Sequence, residues 1–243
     1  MSIPVGELPV PPEVLEHADG QPAVCVWENG IGGTTWTYEG AEGPVYMKVG
    51  PKHPEFDVEG EASRLEWLGQ YLPVPCVLGY DSDGERTWFE TEGIIGTNAI
   101  APENIARAGV VVPALGRGLR RFHDALKEQD CPYSWSAESR IALLTEPFDE
   151  AVPSMRPRDL VVCHGDACNP NFLVDEDGEV CGYVDLSRAG IADRHADLAP
   201  ALMSLGWNFG PGWDEAFLDA YCGRDLTVDP ERIVFYQRLW DAV

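Results

Sequence analysis

The sequence predicts an α+β fold of two lobes, a β-rich N-terminal lobe with one key helix and a mainly helical C-terminal lobe. Two observations predict it. Short β-prone runs separated by glycine-rich or acidic turns dominate the first part of the chain, whereas helical periodicity dominates after about residue 93. A simple alternation of strands and helices is thereby excluded. We predict lobes at residues 1–93 and 94–243 of this 243-residue chain, a length that suffices for one large core or two small lobes.

The first lobe is predicted to hold five strands and one helix. Apolar residues recur at spacings of three and four from Glu59 to Tyr71, which predicts the helix, and Pro73 ends that pattern. The fourth and fifth strands flank a turn at residues 81–84, whose Asp, Ser and Gly residues are typical of turns. The predicted strands are Ala23–Glu28, Thr35–Tyr38, Val45–Val49, Val77–Tyr80 and Thr87–Glu90.

The second lobe begins with a short flexible join at residues 93–97 and then becomes helical. One helical stretch runs from Pro102 to about Lys127, and we expect a break at Pro113, because proline lacks the N–H that a helix interior needs. A second helix is expected at Ala137–Ala151. Three short strand-like runs and two further helices follow, at Leu160–Cys163, Phe172–Val174, Val180–Val184, Trp213–Cys222 and Pro230–Ala242.

The net charge of −24 narrows the classes of partner. So acidic a surface repels nucleic acid and anionic membranes and attracts cations. The alternative to a functional role is that the charge serves solubility, or reflects a proteome adapted to high salt or biased toward acidic residues. No apolar run approaches the ~20 residues that span a bilayer, and Met1–Gly20 lacks the basic start and apolar stretch of a signal peptide. We therefore expect a cytoplasmic protein with no nucleic-acid or membrane partner, whose seven cysteines are free thiols.

One segment of the second lobe carries an ordered set of polar residues. Asp166 stands in a tight loop that contains glycine, Asn171 follows it, and Asp185 ends a short apolar strand. Phosphoryl transfer needs a positioned nucleophile, a divalent metal on the phosphates and positive charge along them. Asp166 can accept the proton of an incoming hydroxyl as catalytic base, and Asn171 and Asp185 offer the hard oxygen ligands that Mg²⁺ prefers. The order and spacing indicate a kinase catalytic loop in which His-Gly-Asp replaces His-Arg-Asp.

The residues around these three positions resemble one family. His164–Asn171 reads His-Gly-Asp-Ala-Cys-Asn-Pro-Asn, and residues 185–194 read Asp-Leu-Ser-Arg-Ala-Gly-Ile-Ala-Asp-Arg. Both closely resemble the motifs of the aminoglycoside 3′-phosphotransferases, which show His-Gly-Asp-Ala-Cys-x-Pro-Asn and then Asp-x-Gly-Arg-x-Gly-x-Ala-Asp-Arg. The resemblance is continuous over residues 164–199. It implies a protein-kinase-like fold and a kinase that acts on small molecules.

The resemblance also implies nucleotide-binding roles in the first lobe. Lys48 on the third strand would hold the α- and β-phosphates of ATP or GTP, and Glu61 on the helix would orient it. A glycine-rich loop would cover the phosphates, an aromatic residue would stack on adenine, and backbone groups at the lobe join would meet the adenine edge. These candidates are Gly32, Gly33, Tyr46, Glu92 and Ile94. A plain hairpin for the glycines and a core aromatic role for Tyr46 stay open as alternatives.

The acceptor-binding surface departs from the family pattern. Family members hold aminoglycoside ammonium groups on an acidic patch, and the acidic pair that one helix contributes to this patch aligns here with Trp207 and Asn208. The remaining acidic candidates, from a shortened insertion before the catalytic loop and from the C-terminal end, are Glu146, Asp149, Glu150 and Asp241. The catalytic residues are thus retained while the acceptor surface is rebuilt.

Two further acidic residues follow the metal segment. The resemblance places Asp193 in the scaffold near the active centre. We expect Asp193 and Asp197 to be structural, and to pair with Arg188 or Arg194 rather than with substrate.

Three functions follow from this pattern. The first is a kinase that phosphorylates the 3′-hydroxyl of an aminoglycoside. The second is a kinase of the same fold for a different hydroxylated small molecule, such as another antibiotic, an amino alcohol or a sugar. The third is a catalytically silent nucleotide-binding module, against which the retained catalytic and phosphate-binding residues argue. The expected partners are a nucleoside triphosphate and a cationic or hydroxylated small-molecule acceptor, with the chain as a monomer or dimer.

Overall fold

The computed structural model describes residue 6, residues 8–53 and residues 56–242. The chain divides into two compact units, Met1–Ile94 and Ile95–Val243. The first unit is β-rich and the second is mainly helical, which confirms the predicted α+β class. The expectation that no signal peptide is present bears in part on residues 1–5 and 7, which lie outside the described residues.

The first unit is built on one antiparallel sheet of five strands in the order β1-β2-β3-β5-β4. Two helices belong to the same unit, α1 at Pro12–His17 and α2 at Val58–Leu68. The strands are β1 Val24–Glu28, β2 Thr34–Glu39, β3 Pro44–Pro51, β4 Val77–Ser82 and β5 Arg86–Glu92. All five lie close to the strands that the sequence predicts.

Side chains along β3 alternate between the two faces of the sheet, which places two candidate residues on the same face. Val45, Met47 and Val49 are buried and belong to the core of the first unit. Successive side chains of a strand point to opposite faces, so Tyr46 and Lys48 lie together on the other face. β3 is also the central strand of the sheet and is paired on both sides, which makes it a rigid base for both side chains.

Helix α2 begins with a side-chain cap. The carboxylate of Asp57 accepts the N–H of Gly60 at 3.0 Å, and this bond satisfies one of the donors that the first helical turn leaves free. The helix ends at Leu68, before the predicted end at Tyr71. Glycine is a poor helix former, and after Gly69 the chain continues in turns.

The second unit holds six α-helices and five short strands in its described residues. Strands β6, β8 and β9 form a three-stranded sheet in the order β6-β8-β9, and β7 pairs with β10. The strands are β6 Thr97–Asn98, β7 Leu160–Cys163, β8 Phe172–Val174, β9 Val180–Tyr183 and β10 Gly190–Asp193. The helices are α3 Pro102–Ile105, α4 Ala108–Ala125, α5 Ala137–Ile141, α6 His195–Asn208, α7 Asp214–Cys222 and α8 Pro230–Ala242. Within the described ranges, every helix is too short or too polar to cross a membrane.

The predicted helix break at Pro113 is wrong. Helix α4 runs without interruption through Pro113, and the break comes earlier, at Arg107, whose backbone is not helical. A proline inside a helix costs about 3 kcal/mol, whereas full burial of one large apolar side chain contributes about 1.5–3 kcal/mol. Five such side chains on α4 outweigh the proline, and they are Val111, Val112, Leu115, Leu119 and Phe122.

The predicted helix at Ala137–Ala151 is wrong in its length. Helix α5 ends at Ile141, and residues 142–151 form turns and irregular structure. Pro147 disfavours helical geometry at the residue before it. The apolar side chains of this segment pack onto the core without a helix, and the ring of Phe148 meets that of Phe235 edge to face at 5.7 Å.

Candidate active site

Lys48 and Glu61 form an ion pair in the first unit. The Nζ atom of Lys48 lies 2.8 and 2.9 Å from the two carboxylate oxygens of Glu61 on α2. The Glu61 side chain is 8% exposed and the Lys48 side chain 25% exposed. A two-pronged pair with one buried partner fixes the direction of a long, flexible cation. The structure therefore brings these two predicted residues together, and their role toward phosphates stays a prediction.

The side chain of Asn29 closes the glycine-rich loop between β1 and β2 by hydrogen bonds within the loop. The Oδ1 atom of Asn29 accepts the N–H of Gly33 at 2.6 Å and that of Ile31 at 3.2 Å. Gly32 has a φ of +83°, the left-handed region that glycine tolerates best. A side chain at Gly33 would collide with Asn29, 2.6 Å from its built Cβ. The loop is thus a tight turn, in which the N–H of Gly33 is already bonded within the protein.

The remaining nucleotide-binding candidates lie on β3 and at the end of the first unit. Tyr46 is 39% exposed, so the alternative of a core aromatic residue does not describe it. Its ring lies against Gly93, where an added Cβ would stand 2.8 Å from it. The N–H of Glu92 donates to the carbonyl of Cys76 at 2.9 Å. Ile94 is half-buried and is the last residue of this unit.

The loop that carries Asp166 follows β7 and depends on a glycine. Gly165 has a φ of +89°, and a Cβ there would lie 2.2 Å from the carbonyl oxygen of Arg188. Only glycine meets both conditions. Since Arg188 follows Asp185 closely in the chain, this contact brings the Asp166 loop against the segment that carries Asp185.

A hairpin brings the two metal candidates together. Phe172 on β8 stands opposite Tyr183 on β9, and the N–H of Val184 donates to the carbonyl of Asn171 at 3.0 Å. Asn171 therefore lies beside the residue that precedes Asp185. Its side-chain Nδ2 donates to the carbonyl of Asp166 at 2.9 Å, so the amide oxygen is the atom that could bind a metal ion.

Burial and one neighbouring carboxylate oppose the ionisation of Asp166. Burial, and then the negative charge of Asp185, raise the pKa of Asp166 above the usual value for an aspartate. Burial, and then the negative charge of Asp166, raise the pKa of the Cys168 thiol, which therefore stays protonated. Burial lowers the pKa of His164, so this ring is neutral near pH 7. Asp185 is exposed and has a φ of +62°, a left-handed backbone uncommon outside glycine.

Asp197 on α6 holds the start of the catalytic loop. Its carboxylate accepts the N–H groups of His164 and Gly165 at 2.6 and 2.9 Å, and the Nε2–H of His123 at 3.0 Å. Burial opposes the negative charge of Asp197, but the hydrogen bonds from His123 and from the N–H of Gly165 lower its pKa below the usual value. The Nδ1 atom of His123 in turn accepts the hydroxyl of Tyr221 at 2.7 Å. Asp197 is therefore a buried, ionised support of the loop.

The predicted arginine partners of Asp193 and Asp197 are wrong. Asp193 pairs with His195 at 2.5 Å and with Arg232, and Asp197 pairs with His123. Arg194 instead donates to the carbonyl of Arg158 at 2.7 Å. Sequence proximity suggested the arginines, but α4 and α8 bring two of the true partners, His123 and Arg232, from distant parts of the chain. His123 and Tyr221 give no local signal, since each lies in a mainly apolar helical pattern.

The same helix holds the end of the catalytic loop. Ser204 accepts the N–H of Asn169 at 2.9 Å, and the Nδ2 atom of Asn169 donates to the carbonyl of Ala201 at 3.3 Å. Asn208 donates to the carbonyl and hydroxyl oxygens of Ser204 at 2.8 and 3.0 Å. The amide of Asn208, a predicted acceptor-binding residue, is thus engaged in supporting Ser204.

The other predicted acceptor-binding residues do not form one cluster of free acids. Glu150 pairs with Arg238 at 2.9 Å. Glu146 and Asp149 are exposed in the irregular segment after α5, and Asp241 is exposed on the last turn of α8. Trp207 on α6 is 63% exposed. An exposed indole and a paired glutamate therefore stand where the resemblance implies an acidic patch.

Comparison with known proteins gives consistent results. The model of the phosphotransferase enzyme family matches residues 138–235. An aminoglycoside 3′-phosphotransferase of Streptomyces fradiae is 34% identical, with 80% of this chain and 84% of the relative covered. The crystal structure of an aminoglycoside-3′-phosphotransferase of type VIII superposes with a TM-score of 0.75 at 31% identity, covering 92% of this chain and 94% of that one. An aminoglycoside phosphotransferase of Streptomyces rimosus, in complex with ADP and streptomycin, superposes with a TM-score of 0.68 at 26% identity, covering 93% and 95%.

Proposed function

The chain belongs to the aminoglycoside phosphotransferase family and has its protein-kinase-like fold, and we propose that it transfers the γ-phosphoryl group of ATP or GTP to an aminoglycoside. The observation that carries this proposal is the joint placement of Asp166, Asn171 and Asp185 by one glycine contact and one hairpin. The 3′-hydroxyl is the favoured position, because the relative from Streptomyces fradiae is named for it. The relative in complex with streptomycin marks a second class of aminoglycoside to test.

Asp166 acts in this proposal as the catalytic base. Its raised pKa brings the carboxylate closer to the affinity for protons that a base needs at neutral pH. The neutral His164 and the protonated Cys168 leave Asp166 as the anionic group of its own loop. The backbone bonds to Asp197 fix the loop, so that Asp166 meets the hydroxyl without reorganisation.

Asn171 and Asp185 fit a magnesium ion. An amide oxygen and an exposed carboxylate are hard donors of the kind that Mg²⁺ prefers, and the hairpin holds them side by side. When bound, Mg²⁺ neutralises charge on the phosphates. In the first unit, Lys48, held by Glu61, supplies fixed positive charge for nucleotide phosphates. Tyr46, the loop of Gly32 and Gly33, and the backbone of Glu92 and Ile94 complete the proposed nucleotide site.

A different hydroxylated acceptor is the second candidate. The Glu150–Arg238 pair and the exposed Trp207 favour it, because they reduce the negative charge available for ammonium groups and add an apolar surface. Three acidic residues are exposed and could contact a cationic acceptor, and they are Glu146, Asp149 and Asp241. An acceptor with fewer ammonium groups than kanamycin suits such a surface.

Acceptor-stimulated nucleotide turnover tests the proposal. With Mg²⁺ present, kanamycin, neomycin or streptomycin should stimulate hydrolysis or transfer, and mass spectrometry should show one added phosphate on the acceptor. Asp166→Ala should lower turnover about 10²–10⁴-fold while nucleotide binding persists. Asp177→Ala, in the exposed turn of the hairpin, is the matched control and should leave turnover unchanged.

Three outcomes would count against this proposal. If no aminoglycoside stimulates turnover but another hydroxylated compound gains a phosphate, the second candidate replaces the first. If Asp166→Ala keeps parental turnover, the assignment of the base is wrong. Tight nucleotide binding without transfer to any acceptor would instead support a silent module.

A further inference from the structure

Arg140 is a buried cation that lacks a hydrogen-bond partner. It lies on α5 and is 1% exposed. None of its three guanidinium nitrogens has a hydrogen-bond partner in the part of the chain that the structure describes. Buried charges are normally paired and hydrogen-bonded, because an unpaired one loses its hydration without compensation. The fold therefore presents buried donors to a group that these residues do not supply.

A second guanidinium lies nearby. Arg140 stands 5.4 Å from the centre of the Trp135 ring and 6.0 Å from that of Trp240, and Arg188 stands 5.4 Å from the same Trp135 ring. Burial, and the positive charge of Arg188, lower the pKa of Arg140. Two positive charges thus share one indole, although like charges repel. An anion bound to both groups would offset this repulsion.

No carboxylate of the described residues pairs with either arginine. The acid whose charge reaches Arg140 is Asp197, but the oxygens of Asp197 already accept three hydrogen bonds from the catalytic loop and from His123. Tyr236 and Cys163, the other groups that act on Arg140, have raised pKa values and stay neutral. The described residues therefore supply no counter-ion for Arg140.

We propose that Arg140 and Arg188 form a binding site for a phosphate-class oxyanion. Two guanidinium groups carry two positive charges and offer flat forks of N–H donors, which match the charge and the oxygen spacing of a phosphate or sulfate dianion. Arg188 is half-buried and Arg140 is not accessible, so the anion enters from the side of Arg188. The site lies near the catalytic carboxylate, since the charge of Arg188 also reaches Asp166. It goes beyond the proposed function and does not depend on which acceptor the enzyme uses.

Thermal unfolding with inorganic phosphate tests this site. At constant ionic strength set by chloride, phosphate should raise the unfolding midpoint of the parent protein along a saturable curve. At one hundred times Kd, the expected rise is roughly 5–10 °C. Arg140→Met should lose this rise, and without phosphate it should be at least as stable as the parent, because methionine removes an unpaired buried charge. An arginine with a purely structural role would give the opposite result, a lower midpoint in both buffers.

Three further variants separate this site from others. Arg188→Met, at a half-buried position, should also lose the phosphate response. Lys48→Ala should keep it, which distinguishes the site from the nucleotide phosphates. Arg224→Met removes the same charge from an exposed surface position and should behave as the parent. An equal phosphate response in the parent and in Arg140→Met, or no response in the parent, would overturn the proposal.

The source of the anion can be assigned in the same assay. Sulfate should reproduce the response of phosphate, and chloride alone should not. If the phosphorylated acceptor recovered from turnover removes the phosphate response by competition, the phosphate group of the product also occupies the site. If it adds to the response of saturating phosphate, free phosphate is the occupant. Both results require the two arginines to bind an oxyanion.

Discussion

Asp166 is half-buried near a second carboxylate, Asp185, and both effects disfavour its ionised form in the folded protein. An acid whose pKa is raised on folding holds its proton longer in the folded than in the unfolded state, and stability is lost as the pH rises through the raised pKa. We predict that Asp166→Asn is more stable than the parent at pH 7 in metal-free protein, although its turnover falls about 10²–10⁴-fold. Thermal unfolding in EDTA over a range of pH checks this, and the gain should shrink toward acidic pH.

The matched control for this variant is Asp177→Asn in the exposed hairpin turn. It should change neither the midpoint nor its pH dependence, since an exposed carboxylate keeps its hydration in both states. A lower midpoint for Asp166→Asn at pH 7, or a gain of the same size at every pH, would show that the charge of Asp166 is not a cost to the fold.

Asp197 is a buried acid of the opposite kind, because its charge is fully hydrogen-bonded. Replacing it by alanine leaves two backbone N–H groups and the ring of His123 without an acceptor. We predict that Asp197→Ala costs roughly 3–5 kcal/mol of unfolding free energy, measured by urea denaturation. Asp219→Ala, at an exposed position of α7, should cost less than about 0.5 kcal/mol. Equal losses for both variants would remove Asp197 from its supporting role.

The two buried acids also show what a sequence can predict about single residues. Asp166, Asn171 and Asp185 are grouped by their order and spacing, and local turns and one hairpin are enough to bring them together. The sequence shows Asp197 as an acid near the catalytic motif, yet its partner His123 comes from α4, and Tyr221, which bonds to His123, comes from α7. Pairing across helices depends on tertiary packing, for which a single sequence carries no periodic signal.

Helix α4 approaches α7 so closely that one glycine decides the distance. An added Cβ at Gly116 would lie 2.3 Å from the carbonyl oxygen of Phe217 on α7, whereas one at Gly109 would meet nothing within 4 Å. We predict that Gly116→Ala destabilises the protein by about 1–3 kcal/mol. Gly109→Ala, in the first turn of the same helix, should stabilise it by up to about 1 kcal/mol, because alanine is the better helix former. Urea denaturation of both variants checks the prediction, and a stabilised Gly116→Ala would contradict the close contact.

The elements that the sequence predicts best are those whose stability is local. Short β-prone runs and the turn residues between them predict the strands of the first unit, and all five strands appear near their predicted positions. Pro113 and the segment after Ile141 show the two ways in which local rules fail. A buried helix face overrides one proline in α4, whereas after α5 the apolar residues pack on the core without helical structure.

The net charge of −24 is a property of the whole molecule. Excess charge of one sign destabilises a compact state by self-repulsion, and salt screens that repulsion over distances of ~10 Å at 0.1 M and ~3 Å at 1 M. We predict that the unfolding midpoint rises by several degrees between low and high sodium chloride. An uncharged solute at the same osmolality is the control and should give a smaller rise. A midpoint that stays flat or falls with sodium chloride would mean that local ion pairs outweigh the net charge.

The hydrogen bond from Val184 to Asn171 has a consequence for how this chain tolerates change. It closes the end of the β8–β9 hairpin at which Asn171 and Asp185 lie, while the connection at residues 175–179 lies at the far end. The pairing of β8 with β9 sets the spacing between Asn171 and Asp185. This spacing therefore does not depend on the length of the connection at residues 175–179. A peptide inserted at residues 175–179 is therefore expected to leave the positions of Asn171 and Asp185 unchanged.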